Sequence, residues 1–298
     1  MSRKKTSAFT RGLSRLALGG LWLLHFLPLS VLRFLGRILG VLFFLFGRER
    51  RRIARINLRL CFPEWSEAER ARVLRAHFIC FAQAFLDRTL FWWASRERLC
   101  RVTRLVGREH LERGDGRPTI LLAPHFVGLD AGGARMTMTT PLVSIYSSQK
   151  NPVFNAVLLA GRSRFNTPVL LSRQEGMRRA LKAMKQGLPF YYLPDMDFGR
   201  RESIFVPFFG VTAATIPGVA RLARATGARI VPCVSRMTAQ GYTVELLPPW
   251  ENYPGADVEA DTLFMNRFVE NLIRQQPAQY YWVHKRFKTR PPGEAKFY

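Results

Sequence analysis

Residues 119–130, which read TILLAPHFVGLD, hold a histidine and an aspartate five positions apart. The first five residues are aliphatic or β-branched, as in a buried parallel strand, and Pro124 would end that strand by removing a ladder donor. His125 is therefore predicted at the carboxyl end of a strand, where open α/β sheets present reactive groups. A carboxylate on one imidazole nitrogen fixes the tautomer and leaves the other nitrogen free to accept a proton. This chemistry would make His125 a general base and Asp130 its orienting partner.

The position of Asp130 allows that role but does not require it. If a helix begins near Gly128, Asp130 lies in its first turn, where the helix dipole favours a carboxylate that can fold back toward the imidazole. Alternatively, His125 caps a strand and Asp130 caps a helix, with no chemistry at either residue. One histidine and one aspartate at this spacing are a weak signal by themselves.

Composition limits the classes of protein that need to be considered. The chain has 298 residues, of which 48% are hydrophobic, so it can bury one large core or two moderate ones. Its formal net charge of +25 implies an acidic partner: nucleic acid, an anionic membrane surface or an acidic carrier protein.

The cysteines are Cys61, Cys80, Cys100 and Cys233. They form no C-x-x-C pair, which argues against zinc and disulfides and suits a reducing compartment.

The N-terminal region predicts a membrane anchor. Residues 16–32 contain no Lys, Arg, Asp or Glu, and a second apolar run follows at 38–46. The first run is just long enough to be considered as a membrane span. Basic residues flank the apolar region on both sides: Arg3, Lys4, Lys5, Arg11 and Arg15 before it, and Arg48, Arg50, Arg51, Arg52, Arg55 and Arg59 after it. These flanks favour a catalytic body in the cytoplasm, with the anchor either crossing once or lying in the interface.

The remaining chain predicts an α/β domain. We assign residues 1–60 to the anchor and 61–298 to a catalytic domain, with a helix starting at Ser66. Strands are predicted at 119–123, 142–146, 168–171, 189–193, 229–234 and 242–247. Helices are predicted between or after them at 131–139, 152–164, 175–186, 215–226 and 257–275. This alternation predicts a mixed, mainly parallel central sheet flanked by helices. Residues 195–199 and 205–210 are expected to be loops.

Five motifs, in order along the chain, resemble those of the bacterial lipid A biosynthesis acyltransferases. They are HFVGLD at 125–130, NP with GRSR at 151–152 and 161–164, YLPDMDFG at 192–199, VPFFG at 206–210 and YYWVHKRFKTRP at 280–291. The resemblance extends from the anchor to the C-terminus. It implies a bacterial inner-membrane enzyme, facing the cytoplasm, that moves an acyl chain from acyl carrier protein onto a lipid A precursor.

The resemblance also implies roles for individual residues. His125 would take the proton from a hydroxyl on a 3-hydroxyacyl chain of the acceptor, with Asp130 orienting it. Arg164 matches an arginine expected to face the acceptor's phosphate, and Arg162 is the neighbouring possibility. Asp195 and Asp197 would hold that arginine or form part of the acceptor site, although Asp197 also suits ordinary turn chemistry. His284, Lys285, Arg286 and Lys288 are expected to contact anionic lipid or support the fold. Neither a metal nor a cofactor is expected.

Two other functions stay open from the residues. A glycerophospholipid acyltransferase would share the His-x4-Asp pair but should carry an E-G-T-R-like loop where this chain has 195–199. A basic, non-enzymatic membrane-surface protein would not need His125 at a strand end. A nucleic-acid-binding protein is not expected, because the basic excess surrounds an apolar anchor rather than a soluble face rich in aromatic residues.

Overall fold

The computed structural model describes residues 8–112, 116–172 and 176–298. The basic residues Arg3, Lys4 and Lys5 and the predicted helix start at Glu175 lie outside these ranges. The helices are α1 (Ala8–Leu24), α2 (Leu29–Phe46), α3 (Arg48–Cys61), α4 (Glu67–Trp93), α5 (Arg96–Val102), α6 (Glu109–Glu112), α7 (Leu129–Thr139), α8 (Pro152–Arg162), α9 (Gly176–Lys185), α10 (Gly218–Thr226) and α11 (Val258–Gln275). A short 3₁₀ helix spans Pro277–Gln279.

The strands are β1 (Thr103–Val106), β2 (Thr119–Leu122), β3 (Val143–Tyr146), β4 (Val169–Ser172), β5 (Phe190–Tyr192), β6 (Ile204–Phe208), β7 (Val211–Thr215), β8 (Arg229–Thr238) and β9 (Gly241–Leu246). Seven of them form one sheet in the order β1-β9-β8-β2-β5-β3-β4. Among the described strand pairs of this sheet, β8–β9 is antiparallel and the others are parallel. The predicted mixed, mainly parallel sheet flanked by helices is confirmed.

The six predicted strands and five predicted helices are present, with ends shifted by up to four residues. The prediction of a loop at 205–210 is wrong. There β6 and β7 form an antiparallel hairpin, which turns through Phe209 and Gly210, both at positive φ. The sequence does not predict these strands, because both faces of the hairpin carry apolar side chains. The alternation of apolar and polar residues that marks a half-buried strand is therefore absent.

The predicted apolar run at 16–32 does not form one helix. It breaks between α1 and α2, where Pro28 precedes the first turn of α2 in an extended conformation. Within the part of the chain that the structure describes, one helix is long and apolar enough to cross a membrane, and it is α2, with a mean hydropathy of 2.0. The candidate span therefore begins 13 residues later than the run suggested, at residue 29 rather than residue 16.

Helix α2 packs against α4 through small residues. A Cβ at Gly36 would lie 2.7 Å from the Cα of Gln83, and a Cβ at Gly40 would lie 2.6 Å from the Cα of Ile79. Arg33 also faces α4, where it pairs with the buried Asp87 at 3.1 Å. The opposite side of α2 carries exposed apolar side chains: Val31, Phe34, Ile38, Val41, Leu42, Leu45 and Phe46. The outward side is thus mainly apolar, with Arg37 also exposed on it, as expected for a surface in contact with lipid and its headgroups.

Helix α3 belongs to the packed core. Ile53, Ala54, Leu58 and Cys61 are buried, and the last three pack in one cluster with side chains of the C-terminal segment. Asn57 of α3 donates to the carbonyls of Trp282 and His284 at 2.7 Å each. The division into an anchor at 1–60 and a catalytic domain at 61–298 stays a prediction, although α3 packs with the second segment.

Candidate active site

The site is built where two neighbouring parallel strands end. β2 pairs with β5, with Leu122 opposite Tyr192. Three residues beyond each of these positions stand His125 and Asp195, and a proline precedes each of them. Because parallel strands in register end at the same edge, both side chains arrive at one point of the sheet. The sheet order, rather than closeness in sequence, brings the histidine and its carboxylate together.

Asp195 holds His125 through two hydrogen bonds. The imidazole Nδ1 lies 2.7 Å from Asp195 Oδ1, and the backbone N–H of His125 donates to Asp195 Oδ2 at 3.0 Å. A carboxylate that accepts from Nδ1 leaves a lone pair on Nε2. The imidazole is 20% exposed and the carboxylate 1% exposed, so the base can be reached from solvent while its partner cannot. His125 therefore has the geometry of an oriented general base.

Electrostatics support an ionised Asp195. Burial raises the pKa of its carboxyl, but the charge of His125 and the hydrogen bonds from His125 outweigh burial, and the pKa lies below its ordinary value. An ionised carboxylate also stabilises the imidazolium that forms when His125 takes a proton. The predicted role of Asp195 in holding an arginine is corrected, because both of its carboxylate oxygens are bonded to His125.

Asp130 does not orient His125, which corrects our prediction. It lies in the first turn of α7 as expected, but its two oxygens face two guanidinium groups. Arg88 of α4 donates to Oδ2 at 2.6 Å and Arg162 of α8 donates to Oδ1 at 2.8 Å. Burial raises the pKa of the Asp130 carboxyl, but the two arginines outweigh burial and hold it well below its usual range. Both oxygens of Asp130 thus position guanidinium groups, those of Arg88 and Arg162. Arg88 was not identified from the sequence as a residue of the site.

An apolar cavity adjoins Asp130 and Arg162. It is open to solvent and lies between α7, α8 and the sheet, and the empty space there, part of which is open solvent, is about 690 Å³. Its apolar walls include Trp92, Leu129, Ala134, Ile145, Leu170 and Leu193. A guanidinium at the rim of an apolar cavity suits a molecule that carries both an anionic group and a hydrocarbon chain.

Arg164, which we predicted to face the acceptor's phosphate, is not among the residues that line this cavity. Its guanidinium donates to the carbonyls of Phe91 at 3.1 Å and Ala94 at 2.5 Å, at the C-terminal end of α4. Carbonyls at a helix end lack partners within the helix, and a cation there also complements the helix dipole. Arg164 therefore caps α4, and Arg162, the neighbouring possibility, is the arginine that lines the cavity.

Asp197 fastens the C-terminal segment to the site. Its carboxylate accepts from the backbone N–H of Thr289 at 2.7 Å, from Thr289 Oγ1 at 2.8 Å and from the N–H of Gly199 at 2.9 Å. The bond to Gly199 is the turn chemistry considered for this residue. Asp197 is buried and lies 3.9 Å from Lys288 Nζ, so its contacts are with the C-terminal segment rather than with a predicted arginine.

The described residues contain no group of three or more His, Cys, Asp or Glu side chains that could hold a metal ion. Cys233 lies behind the site, at the core. Burial raises the pKa of its thiol to about 12, so it remains protonated and is unsuited to nucleophilic attack. Among the described residues that follow β2 and β5, His125 is the group whose ring nitrogen Nε2 keeps a lone pair for proton transfer.

Comparisons with known proteins point to one family. The family model described as bacterial lipid A biosynthesis acyltransferase matches residues 2–289. The lipid A biosynthesis lauroyltransferase of Escherichia coli (strain K12) is 37% identical over 286 residues, covering 94% of this chain and 93% of that protein. The palmitoleoyltransferase of the same strain is 34% identical over 94% of this chain and 92% of its own length. Its myristoyltransferase is 34% identical over 90% of this chain and 83% of its own length.

Proposed function

Because this chain belongs to the bacterial lipid A biosynthesis acyltransferase family, we propose that His125 is the base of its transfer reaction and that Asp195 orients that base. The chain is an acyltransferase of lipid A biosynthesis. The observation that carries the proposal is the pair of hydrogen bonds between Asp195 and His125, which leaves Nε2 free at the carboxyl end of β2. General-base assistance of this kind contributes about 10²- to 10⁴-fold to a rate.

The donor in this proposal is an acyl chain on acyl carrier protein, and the acceptor is a hydroxyl of a 3-hydroxyacyl chain on a lipid A precursor. His125 Nε2 removes the hydroxyl proton as the oxygen bonds to the thioester carbonyl carbon. The carbonyl electron pair moves onto its oxygen, giving an oxyanion. When the oxyanion collapses, the C–S bond breaks and the thiol leaves with the proton that His125 carried. No cofactor takes part in this sequence of steps.

The cavity beside Asp130 suggests how an acceptor is held. Its rim bears Arg162, whose side chain is 35% exposed and whose guanidinium can offer further donors to a phosphate. Its walls are apolar and could take a hydrocarbon chain. We assign Arg162, held by Asp130, to the acceptor's anionic group. Arg164 has no part in that assignment, because its guanidinium is bonded to the end of α4 and it does not line the cavity.

Membrane association follows from the exposed apolar side of α2 and the basic helix that comes next. Arg48, Arg50, Arg52, Arg55 and Arg59 of α3 are exposed. Arginines beside a lipid-contacting surface attract anionic headgroups at about 1 kcal/mol each near the surface. We propose that the chain sits in the bacterial inner membrane with its active site on the cytoplasmic side, where acyl carrier protein would reach it.

The test is transfer by the full chain in membranes. Membranes that contain the full chain are incubated with a lipid A precursor and a series of acyl carrier protein thioesters. The masses of the lipid products are then measured by mass spectrometry. We expect one added acyl chain, whose mass identifies the donor, and a loss of about 10²- to 10⁴-fold for His125→Ala. His110→Ala is the matched control. His110 lies in α6, and its carbonyl accepts from Arg229, where β8 begins, so it stands at the opposite end of the sheet. Equal rates for the two variants would reject His125 as the base.

A further inference from the structure

A second histidine, His284, stands beside His125 because the C-terminal segment lies on the strand end. The backbone N–H of Tyr281 donates to the carbonyl of His125 at 3.0 Å, and Phe126 and Tyr280 form an antiparallel bridge. The N–H of His284 then donates to the carbonyl of Tyr281 at 3.2 Å. The turn that carries His284 is therefore bonded directly to the backbone of the proposed base.

The same loop holds both imidazoles. Asp195 binds His125 through its carboxylate, and two residues later the backbone N–H of Asp197 donates to Nε2 of His284 at 3.3 Å. Lys288 Nζ donates to the carbonyl of Asp197 at 3.2 Å, which secures the loop from the far side. The two histidines are thus held by residues two positions apart in one loop, as suits a site with two cooperating groups.

The hydrogen bond from Asp197 determines where His284 carries its proton. Because Nε2 accepts, a neutral imidazole must carry its hydrogen on Nδ1. Within residues 8–112, 116–172 and 176–298, no partner binds Nδ1, and the side chain is only partly buried. Burial, followed by the charges of His125, Arg286 and Lys288, lowers the pKa of His284 to about 4. At neutral pH His284 is therefore an uncharged donor with a free N–H beside the base.

Acyl transfer needs such a donor. When the acceptor oxygen attacks the thioester, negative charge develops on the carbonyl oxygen, and a fixed N–H aimed at that oxygen stabilises the transition state more than the ground state. A neutral imidazole can serve as this electrophile without competing for the proton that the base removes. We propose that the Nδ1–H of His284 donates to the thioester carbonyl oxygen as it becomes an oxyanion. The proposal rests on the proposed function, since it places His284 opposite the base His125.

Steady-state kinetics of the full chain in membranes can test this role, with His284→Ala, His284→Asn and the control His110→Ala. An oxyanion donor acts in the transition state, so we expect His284→Ala to lower kcat about 10²- to 10³-fold, with little change in the KM of either substrate. Asparagine can present an amide N–H near the lost Nδ1, so His284→Asn should recover part of kcat. All three variants should keep the wild-type melting temperature within a few degrees.

Several results would overturn the proposal: a His284→Ala variant with wild-type kcat, a change confined to the KM of one substrate, or an asparagine variant no better than alanine at equal stability. His125→Ala is measured in the same series to separate the two proposals. If His125→Ala is inactive while His284→Ala has wild-type kcat, only the oxyanion role fails. If His125→Ala is itself fully active, the proposed function fails first.

Discussion

Asp195 and Asp130 are two shielded carboxylates near the same strand end, but their surroundings give them opposite tasks. Asp195 has one partner, an imidazole that it orients and whose positive charge it can stabilise. Asp130 has two partners, both guanidinium groups that are permanently charged. The first carboxylate can take part in a proton transfer, while the second is a fixed support. Residue type and closeness to His125 in sequence do not distinguish them, but the partners do.

The largest expected difference between the two carboxylates is in turnover. In Asp195→Asn, the amide can donate to Nδ1 of His125 and so favour the tautomer with its proton on Nε2, which cannot act as a base. We expect kcat to fall about 10³- to 10⁴-fold, as when the orienting carboxylate of a catalytic triad is replaced by its amide. Asp130→Asn should keep its kcat within about 10-fold of wild type, because Asp130 does not touch the imidazole.

Transfer rates at saturating donor and acceptor measure this contrast directly. Circular dichroism of both variants checks that they fold. If Asp130→Asn lost as much turnover as Asp195→Asn, both carboxylates would take part in catalysis. The assignment of Asp195 to proton transfer and of Asp130 to holding arginines would then be wrong.

Most of the fold could be predicted from the sequence, because strands β2, β3, β4, β5, β8 and β9 are apolar runs bounded by turn residues. The partner of His125 could not, since Asp195 is 70 residues away and only the sheet order makes it a neighbour. One signal was available: Ala-Pro-His at 123–125 and Leu-Pro-Asp at 193–195 end two predicted strands in the same way. Strand order cannot be read from a local sequence pattern, and so the sequence favours the nearer carboxylate, Asp130.

Arg162, which Asp130 holds, and the nearby Arg164 are expected to respond differently to substitution. Arg162→Ala removes the guanidinium at the cavity rim, and we expect the KM for the lipid acceptor to rise about 10- to 100-fold, the effect of losing a hydrogen bond to a charged group. The KM for the acyl donor should change little.

Arg164→Ala should instead leave both KM values near wild type and lower the free energy of unfolding by about 1–2 kcal/mol, because it releases two helix-end carbonyls.

Acceptor and donor titrations with each variant, beside thermal unfolding in detergent, separate these outcomes. A raised acceptor KM in Arg164→Ala with an unchanged one in Arg162→Ala would restore Arg164 as the acceptor's contact. It would also mean that the cavity beside Asp130 has no role in acceptor binding.

The smallest expected difference is in the stability of the fold toward acid. The pKa of Asp130 is held well below its ordinary value, and that of Asp195 is lowered as well. A carboxyl with a depressed pKa in the folded state contributes stability that is fully present above its unfolded pKa of about 4, and this contribution is lost as pH falls toward the folded pKa. The wild-type melting temperature in detergent should therefore fall steeply below about pH 4. Asp130→Asn should have a lower melting temperature than wild type at pH 6 but should lose less stability on acidification, so that the two curves converge. If the melting temperatures of wild type and Asp130→Asn instead fell in parallel with pH, Arg88 and Arg162 would not stabilise the ionised form of Asp130. The proposed role of Asp130 in holding these arginines would then be rejected.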